Sequence, residues 1–272
     1  MRPVIYSSEA QFARPGSFFR EALGDLRASP RIGARLFTAQ LRGRARRSLL
    51  SYLWLILPPA AVALLCVYLQ SLGILKSGPT ELPYVLYVLS GMLLWQVFVE
   101  ALNAPARQVL AARQLISRSR VPHEAILIGA VYDVFLSAAI RIVLLLAAFW
   151  IYDGATIPGV GLPLAALVLI LFGFSIGLLV APWALLYDDA KHALTMLATF
   201  WFFLTPVAYR AVSHGPLALN PVTPLLETAR SAFTGGGWSA GFFLVAGAAA
   251  FLLILGWLLY RLARPYFVER LG

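Results

Sequence analysis

Residues 160–187 read VGLPLAALVLILFGFSIGLLVAPWALLY, a run that contains no charged side chain. About 20 apolar residues in a helix cross the hydrocarbon core of a bilayer, so this run predicts a membrane-spanning helix. In lipid only helices and closed barrels satisfy their own backbone hydrogen bonds, and a continuous apolar run lacks the alternation of a barrel strand. The charged string DDAKH at 188–192 follows at once and predicts a tight turn.

Five further apolar runs lie on either side of this one. Together the six predict spans at about 49–72, 83–103, 125–152, 160–187, 190–212 and 240–262. The whole chain is 60% hydrophobic and 12% charged, whereas a soluble domain averages about 45–50% and about 25%. The sequence therefore predicts an all-α membrane protein with six transmembrane helices and excludes a water-soluble globule.

The lysines and arginines are distributed unevenly among the connections between spans. Ten arginines lie in 1–48 and four in 104–124, whereas the predicted exterior segments hold only Lys76, Arg210 and Arg230. Cytoplasmic loops carry such an excess, so both termini are expected in the cytoplasm. The net charge of +10 is thus attributed to membrane orientation, and no nucleic-acid partner is predicted.

The N-terminal segment 1–48 is predicted to contain an interfacial helix over about 30–48. At about 100° per residue, one stripe of this helix is polar and the apolar residues lie on other sides. The stripe holds Arg35, Thr38, Arg42 and Arg46, and the apolar residues are Leu36, Phe37 and Leu41. Such a helix can lie on an anionic leaflet, and the alternative is a solvated basic tail.

The segment 213–239 between the last two spans is rich in proline. Thr223 followed by Pro224 predicts a helix start, and Gly235-Gly236-Gly237 predicts its end, which gives a short helix at about 224–233. A helix of this length cannot span a bilayer. It suits a re-entrant exterior hairpin, and the alternative is a simple exterior loop.

The sequence contains no recognisable set of catalytic residues. The three histidines are isolated, no metal-ligand spacing occurs, and the nearest string to a phosphate-binding loop, SLGILKS, has Leu75 where glycine is needed. We therefore predict no catalytic residue, cofactor site or metal site in this chain. Energy for any active transport would come from a partner subunit or an ion gradient.

Charged residues fall within or at the edge of two predicted spans. Glu100 lies near the cytoplasmic end of the second span, and Asp133 and Arg141 lie in the third. Asp133 and Arg141 are separated by about 12 Å along a helix, too far to pair directly. Intramembrane charges often mark a transport path, and the alternative is pairing with neighbouring helices. A proton-coupled carrier that uses Asp133 is a further alternative.

Aromatic residues form a candidate conduit, because aromatic faces stack on the C–H faces of sugar rings. The candidates are Tyr52, Trp54, Trp95, Phe200, Trp201, Phe203 and Tyr209. The alternative for each is ordinary packing in the core or in an interfacial belt.

The loop 104–124 is the best candidate for docking a soluble partner. It alternates basic and apolar residues, which suits a short surface helix pressed into a groove. The candidate contacts are Arg107, Arg113, Leu115, Ile116, Arg118 and Arg120. The alternative is a positive-inside loop without a partner.

Two strings carry a resemblance to a known family: FFLTPVAYR (202–210) and LNPVTPLLETARSAF (219–233). With the basic N-terminal helix, six spans and the loop after the second span, the chain resembles the membrane subunit of ABC exporters for polysaccharides and polyol phosphates. Family members more often carry an aromatic residue where this chain has Ala229.

The resemblance implies a homodimeric permease with two separate ATPase subunits that bind ATP and magnesium. The cargo would be a lipid-linked polysaccharide, capsular or O-antigen, exported across the bacterial inner membrane. It also implies that 104–124 is a coupling segment, 30–48 a gate helix and 214–233 an exterior gate. The exterior-gate residues would be Asn220, Pro221, Pro224 and Arg230. A drug or lipid permease of the same architecture and a membrane enzyme for lipid-linked sugars are the alternatives.

Overall fold

The computed structural model describes residues 15–47, 53–73, 82–118, 121–153, 158–210 and 216–271. All regular secondary structure among these residues is helical and they include no strand, as the sequence predicts. In chain order the helices are α1 (Pro15–Arg47), α2 (Leu53–Ser71), α3 (Tyr84–Ala111), α4 (Arg113–Arg118), α5 (His123–Asp153), α6 (Gly161–Leu186), α7 (Asp188–Leu204), α8 (Val222–Thr234) and α9 (Ala240–Leu271). A short 3₁₀ helix at Pro216–Leu219 precedes α8.

Four of these helices are long and apolar enough to cross a bilayer. They are Tyr84–Ala111, His123–Tyr152, Gly161–Leu186 and Ala240–Arg264. The other two predicted spans correspond to α2, whose apolar part is Leu57–Ser71, and to α7, which has 17 residues and starts on charged side chains. The described chain is thus an all-helical membrane protein, and six spans remain a prediction.

Several helix ends differ from the predicted boundaries. Helix α3 continues to Ala111 instead of stopping at 103, and α9 continues to Leu271 instead of stopping at 262. Helix α1 begins at Pro15 instead of 30. Helix α7 stops at Leu204 instead of 212, because Thr205 is extended before Pro206. The predicted boundaries followed the apolar pattern, whereas helices also continue through polar residues that find partners.

Helix α6 is the most apolar candidate span and forms the centre of the fold, packed between α3 and α9. Gly173 and Gly177 allow a close crossing with α3. A Cβ at Gly177 would lie 2.0 Å from the carbonyl oxygen of Leu102, and one at Gly173 would lie 2.6 Å from that of Phe98. Two glycines four residues apart let the helix backbones touch, which is a common mode of packing in membranes.

Helix α1 packs along the first turns of α5. A Cβ at Gly33 would lie 2.9 Å from the carbonyl oxygen of Ala125, so the two backbones are close. The predicted polar stripe is on the outside, where Arg35, Thr38 and Arg42 are exposed. The apolar residues Leu36, Phe37 and Leu41 are half-buried, whereas the Arg46 side chain lies outside the described residues.

Candidate functional site

A polar stripe runs along the open face of α3. Its members lie at positions i, i+4, i+7 and i+11, a spacing that places side chains on one side of a helix. They are Gln96, Glu100, Asn103 and Arg107. Together with Trp95, Val99 and Arg141 they line an open cavity of about 410 Å³. Glu100 and Arg107 were each predicted from sequence, whereas Gln96 and Asn103 were not, although polar residues at this spacing within an apolar run were a usable signal.

Arg141 of α5 closes one side of this cavity. Its guanidinium Nη1 donates to Oε2 of Glu100 at 2.7 Å and to the Ser137 hydroxyl, and its Nε donates to Oε1 of Gln96 at 3.3 Å. Ser137 in turn donates to Oε2 of Glu100 at 2.6 Å. Arg141 is buried, and its charge is compensated by Glu100 and Gln96 of α3. Pairing with a neighbouring helix is the alternative that was weighed against a transport path.

Asp133 extends the network toward α1. Arg44 donates through two nitrogens to its two carboxylate oxygens, at 2.6 and 3.0 Å. Arg107 contacts the same carboxylate at 3.4 Å and Glu100 at 3.6 Å. The chain of pairs therefore runs Arg44–Asp133–Arg107–Glu100–Arg141 and joins three helices. Three guanidinium groups against two carboxylates leave one excess positive charge beside the cavity.

Helix α1 is also held at the cavity by an amide pair. Gln108 Nε2 of α3 donates to Oε1 of Gln40 at 2.6 Å. Gln108 is buried and lies past the apolar part of α3, so this contact helps to explain why α3 continues beyond its predicted end. The C-terminal half of α1 is thereby joined to α3 as well as to α5.

The predicted aromatic conduit divides into buried and exposed members. Trp95 is buried and lines the cavity, while its ring lies 5.2 Å from that of Phe98. Trp201 packs edge-on against Phe98 and Phe172, with ring centroids at 5.2 and 6.3 Å. Its indole N–H donates to Oδ1 of Asn220 at 3.0 Å. Trp201 is therefore part of the core, which was the alternative considered for each aromatic.

The remaining conduit candidates differ in their surroundings. Phe200 and Phe203 of α7 are 59% and 69% exposed, so they are available to lipid, cargo or a second chain. The Tyr209 hydroxyl donates to the Phe203 carbonyl at 3.1 Å. Tyr52 and the Trp54 side chain lie outside the described residues.

Asn220 fixes the segment between α7 and α8. Its amide nitrogen donates to the carbonyl of Leu204 at 3.0 Å and to the Thr205 hydroxyl at 2.9 Å. Its Oδ1 accepts from the backbone N–H of Val222 at 3.0 Å. Helix α8 consequently begins at Val222 after Pro221, so the predicted start at Thr223-Pro224 was wrong by two residues. It ends at Gly235, which has a φ of 75°, as the glycine run predicts.

Arg230 of α8 is buried and anchors this segment to α3. Its guanidinium donates to the carbonyls of Pro206 at 3.0 Å, Tyr87 at 3.1 Å and Val207 at 3.1 Å. It also lies 3.6 Å above the Tyr87 ring, a cation–π contact. Burial lowers the pKa of Arg230 to about 10, so the group stays protonated at neutral pH. The position of Arg230 explains Gly91, since a Cβ there would lie 2.5 Å from the guanidinium.

The predicted docking segment is not one continuous loop. Its first eight residues belong to α3, and α4 follows at Arg113–Arg118. Arg107 is 46% exposed, and its guanidinium points back to the carboxylates of the network. Leu115 and Ile116 are half-buried, with Ile116 packed against the core. The side chains of Arg113, Arg118 and Arg120 lie outside the described residues.

A second charged cluster, which was not predicted from sequence, joins α1, α5 and α9. Arg261 pairs with Glu124 and also contacts Asp25 at 3.0 Å. Arg264 lies 3.9 Å from the same Glu124 carboxylate, and His123 lies 3.1 Å from the Tyr260 hydroxyl. Asp25 and Arg261 are separated by 236 residues, so no local pattern could have paired them.

Comparison with known proteins assigns the sequence to a family. Residues 34–234 match the family described as ABC-2 type transporter. The chain is similar to the O-antigen export system permease protein RfbA of Myxococcus xanthus, with 25% identity over 206 residues, 73% of this chain and 78% of the relative. It is also similar to two proteins of that name from Klebsiella pneumoniae, each 22% identical, which cover 84% and 72% of this chain and 90% and 77% of their own lengths. Because the family match covers most of the chain, this protein belongs to the ABC-2 type transporter family.

Proposed function

We propose that this chain is the permease subunit of an ATP-driven ABC exporter that moves a lipid-linked polysaccharide outward across the bacterial inner membrane. The cargo would be an O-antigen or a capsular polysaccharide. Three relatives named as O-antigen export permeases support this cargo class. The main structural support for this function is the open cavity along α3, which is lined by polar and charged side chains of a candidate membrane span.

The chemistry of the cavity suits a phosphate-linked glycan. The amides of Gln96 and Asn103 can donate to and accept from sugar hydroxyls. Trp95 supplies an aromatic surface, and the excess guanidinium charge favours an anionic group. A small apolar cargo would need neither feature. Asp133 is paired with two arginines, which disfavours its use as a proton carrier.

A homodimer would complete the path. The polar stripe of α3 is open in one chain, and most of α7 is exposed. A charged stripe is costly against lipid, so a protein surface must cover it. A second copy would turn the same stripe and the aromatic face of α7 inward. We place two ABC ATPase subunits, which bind ATP and magnesium, on the cytoplasmic side, where both termini also lie.

The segment 104–124 would couple these ATPase subunits to the permease. This segment contains the last two turns of α3 and the whole of α4, and α4 packs near α9. A rigid helix that continues into the docking surface transmits displacement better than a loose loop. The proposed docking residues are Arg107, Arg113, Leu115, Ile116, Arg118 and Arg120. Charge reversal at Arg113, Arg118 and Arg120 together should weaken co-purification with the ATPase subunit, and unchanged co-purification would remove this assignment.

Helix α1 and the segment before α9 would act as gates at opposite ends of the path. The C-terminal half of α1 contacts Asp133 through Arg44 and Gln108 through Gln40, and Asp133 also contacts the cavity residue Arg107. Asn220, Pro221 and Pro224 shape the start of α8, and Arg230 anchors it. The buried guanidinium of Arg230 ties α8 to α3, so we expect the exterior gate to stay closed while these contacts are intact.

The proposed function is tested by surface polysaccharide display in a strain that lacks this gene. We expect display to fall and lipid-linked polymer to accumulate inside, with recovery on expression of the wild-type chain. Gln96→Ala with Asn103→Ala should reduce recovery at normal permease abundance. Leu244→Ala, on the exposed face of α9, is the matched control. Normal display in the deletion strain would refute the function.

A further inference from the structure

The charged cluster that joins α1, α5 and α9 lies at one end of the helix bundle. Its Glu124 belongs to the first turn of α5, and its Arg261 lies near the end of the candidate span in α9. Glu124 is also the last residue of the docking segment 104–124. The cluster therefore lies where the docking segment meets both α1 and α9.

Arg261 bridges two carboxylates that belong to different helices. Its Nη1 pairs with Oε1 of Glu124, and its Nη2 lies 3.0 Å from Oδ2 of Asp25. Among the described residues, the contact with Asp25 is the one ion pair that links α1 to α9. A displacement of Glu124 that carries Arg261 with it therefore acts on Asp25.

The two contacts of Arg261 differ in their exposure to water. The side chains of Arg261 and Glu124 are 8% and 5% exposed, whereas that of Asp25 is 35% exposed. An exposed pair is weak because water can replace either partner, whereas separation of a buried pair leaves an uncompensated charge. The contact between Asp25 and Arg261 is consequently the one that opens first.

A second arginine of α9 lies close to Glu124. Arg264 Nη1 is 3.9 Å from Oε2 of Glu124, and this buried oxygen accepts no hydrogen bond from the described residues. A shift of about 1 Å would bring the two atoms to hydrogen-bond distance. Glu124 thus has a second arrangement available, in which it holds α9 through both arginines after Asp25 has left.

Pro30 divides α1 into two parts. It lies inside the helix, and proline has no backbone N–H to donate to the carbonyl four residues earlier. Beyond it, Gly33 packs against the backbone of Ala125, and Arg44 holds Asp133. The part of α1 before Pro30 can therefore change its direction while the part after it stays attached to α5.

We infer that Arg261 is a positioning residue that couples the docking segment to α1. Coupling between separate parts of a protein is carried by contiguous contacts that have two discrete arrangements. Here the contacts run from Glu124 to Arg261 and on to Asp25. When an ATPase subunit displaces the docking segment, Glu124 engages Arg264 as well. Asp25 then separates from Arg261 and releases the first part of α1. The inference rests on the proposed function, because it requires an ATPase subunit at residues 104–124.

The test is hydrogen exchange, measured by mass spectrometry on the full-length permease in complex with its ATPase subunit. Exchange of the α1 amides at 23–29 is compared without nucleotide and with ATP, magnesium and vanadate. We expect wild-type exchange to be faster by about fivefold or more in the nucleotide-bound complex. Asp25→Asn should exchange at the faster rate in both states, whereas Asp25→Glu keeps a carboxylate and should respond as the wild-type chain does. Asp189→Asn, at an exposed carboxylate of α7, is the control and should leave the exchange of α1 unchanged.

A contact that only stabilises the fold would give a different result. Asp25→Asn would then raise the exchange rate, but nucleotide would have no effect on the wild-type chain. That outcome would overturn the inference, and so would an Asp25→Asn variant that still responds to nucleotide. If Asp25→Asn does not fold, Arg261→Lys should lose the response, because lysine lacks the planar fork that spans both carboxylates. A full response in Arg261→Lys would count against the inference. A wild-type chain that forms no complex with an ATPase subunit would refute the proposed function itself, and the inference with it.

Discussion

The ion pair between Glu100 and Arg141 gives the sharpest test of the cavity. Arg141 Nη1 lies 2.7 Å from Oε2 of Glu100, with side chains 6% and 17% exposed. Removing one partner of a buried pair costs about 3–5 kcal/mol, because an uncompensated charge is left in an apolar site. Since the cavity gives Glu100 some access to water, we expect about 3 kcal/mol for Glu100→Gln. Arg141→Gln should cost about 1–2 kcal/mol, because Arg107 still faces the carboxylate.

The double variant separates pairing from simple damage. When both residues are replaced by glutamine, neither leaves an unpaired charge behind. The loss of stability in the double variant should therefore be about 2 kcal/mol smaller than the sum of the two single losses. Thermal unfolding in detergent measures these losses, and a loss of about 3 kcal/mol corresponds to a decrease of roughly 6–12 °C in Tm. Asp189→Asn, at an exposed carboxylate of α7, is the control. Additive losses would refute the pairing. A double variant that folds but does not export would show that the charges also serve transport.

Four further predictions concern packing and the transport path. Gly177→Ala should sharply lower the yield of folded protein, because the new Cβ meets a backbone oxygen at 2.0 Å, whereas Gly247→Ala has open space; size-exclusion chromatography measures both. Arg230→Met should cost at least about 3 kcal/mol in thermal unfolding, because three carbonyls lose their donor. Trp201→Ala should cost about 3–5 kcal/mol as a loss of core packing. Phe203→Ala should leave stability unchanged and reduce export, and normal export would place that ring against lipid.

The helical architecture could be predicted because it depends on local properties. Apolar runs long enough to cross a bilayer predict helices, and each predicted span has a helix in the described chain. Helix ends were less predictable, because they depend on partners far away in sequence. Helix α3 continues past its apolar part where Gln108 meets Gln40, 68 residues earlier. Hydropathy carries no information about such a contact.

The candidate site was predictable only in its components. Sequence identified Asp133 and Arg141 as costly intramembrane charges, and the structure gives each a partner on another helix. The partner of Asp133 is Arg44, 89 residues away, so spacing along α5 could not reveal it. The aromatic run in α7 had a similar limit. Its neighbours Trp201 and Phe203 look alike in sequence, but one faces the core and the other faces outward.

The packing explains why the polar stripe lies on α3 rather than on another helix. In the four candidate spans, 72% of the α3 window and 67% of the α6 window are buried, against 33% for α5 and 22% for α9. Charged groups at bilayer depth are tolerated only where partners stay in place. Helix α3 meets this requirement because the glycines of α6 hold its backbone at contact distance. It can therefore keep Glu100 within reach of Arg141.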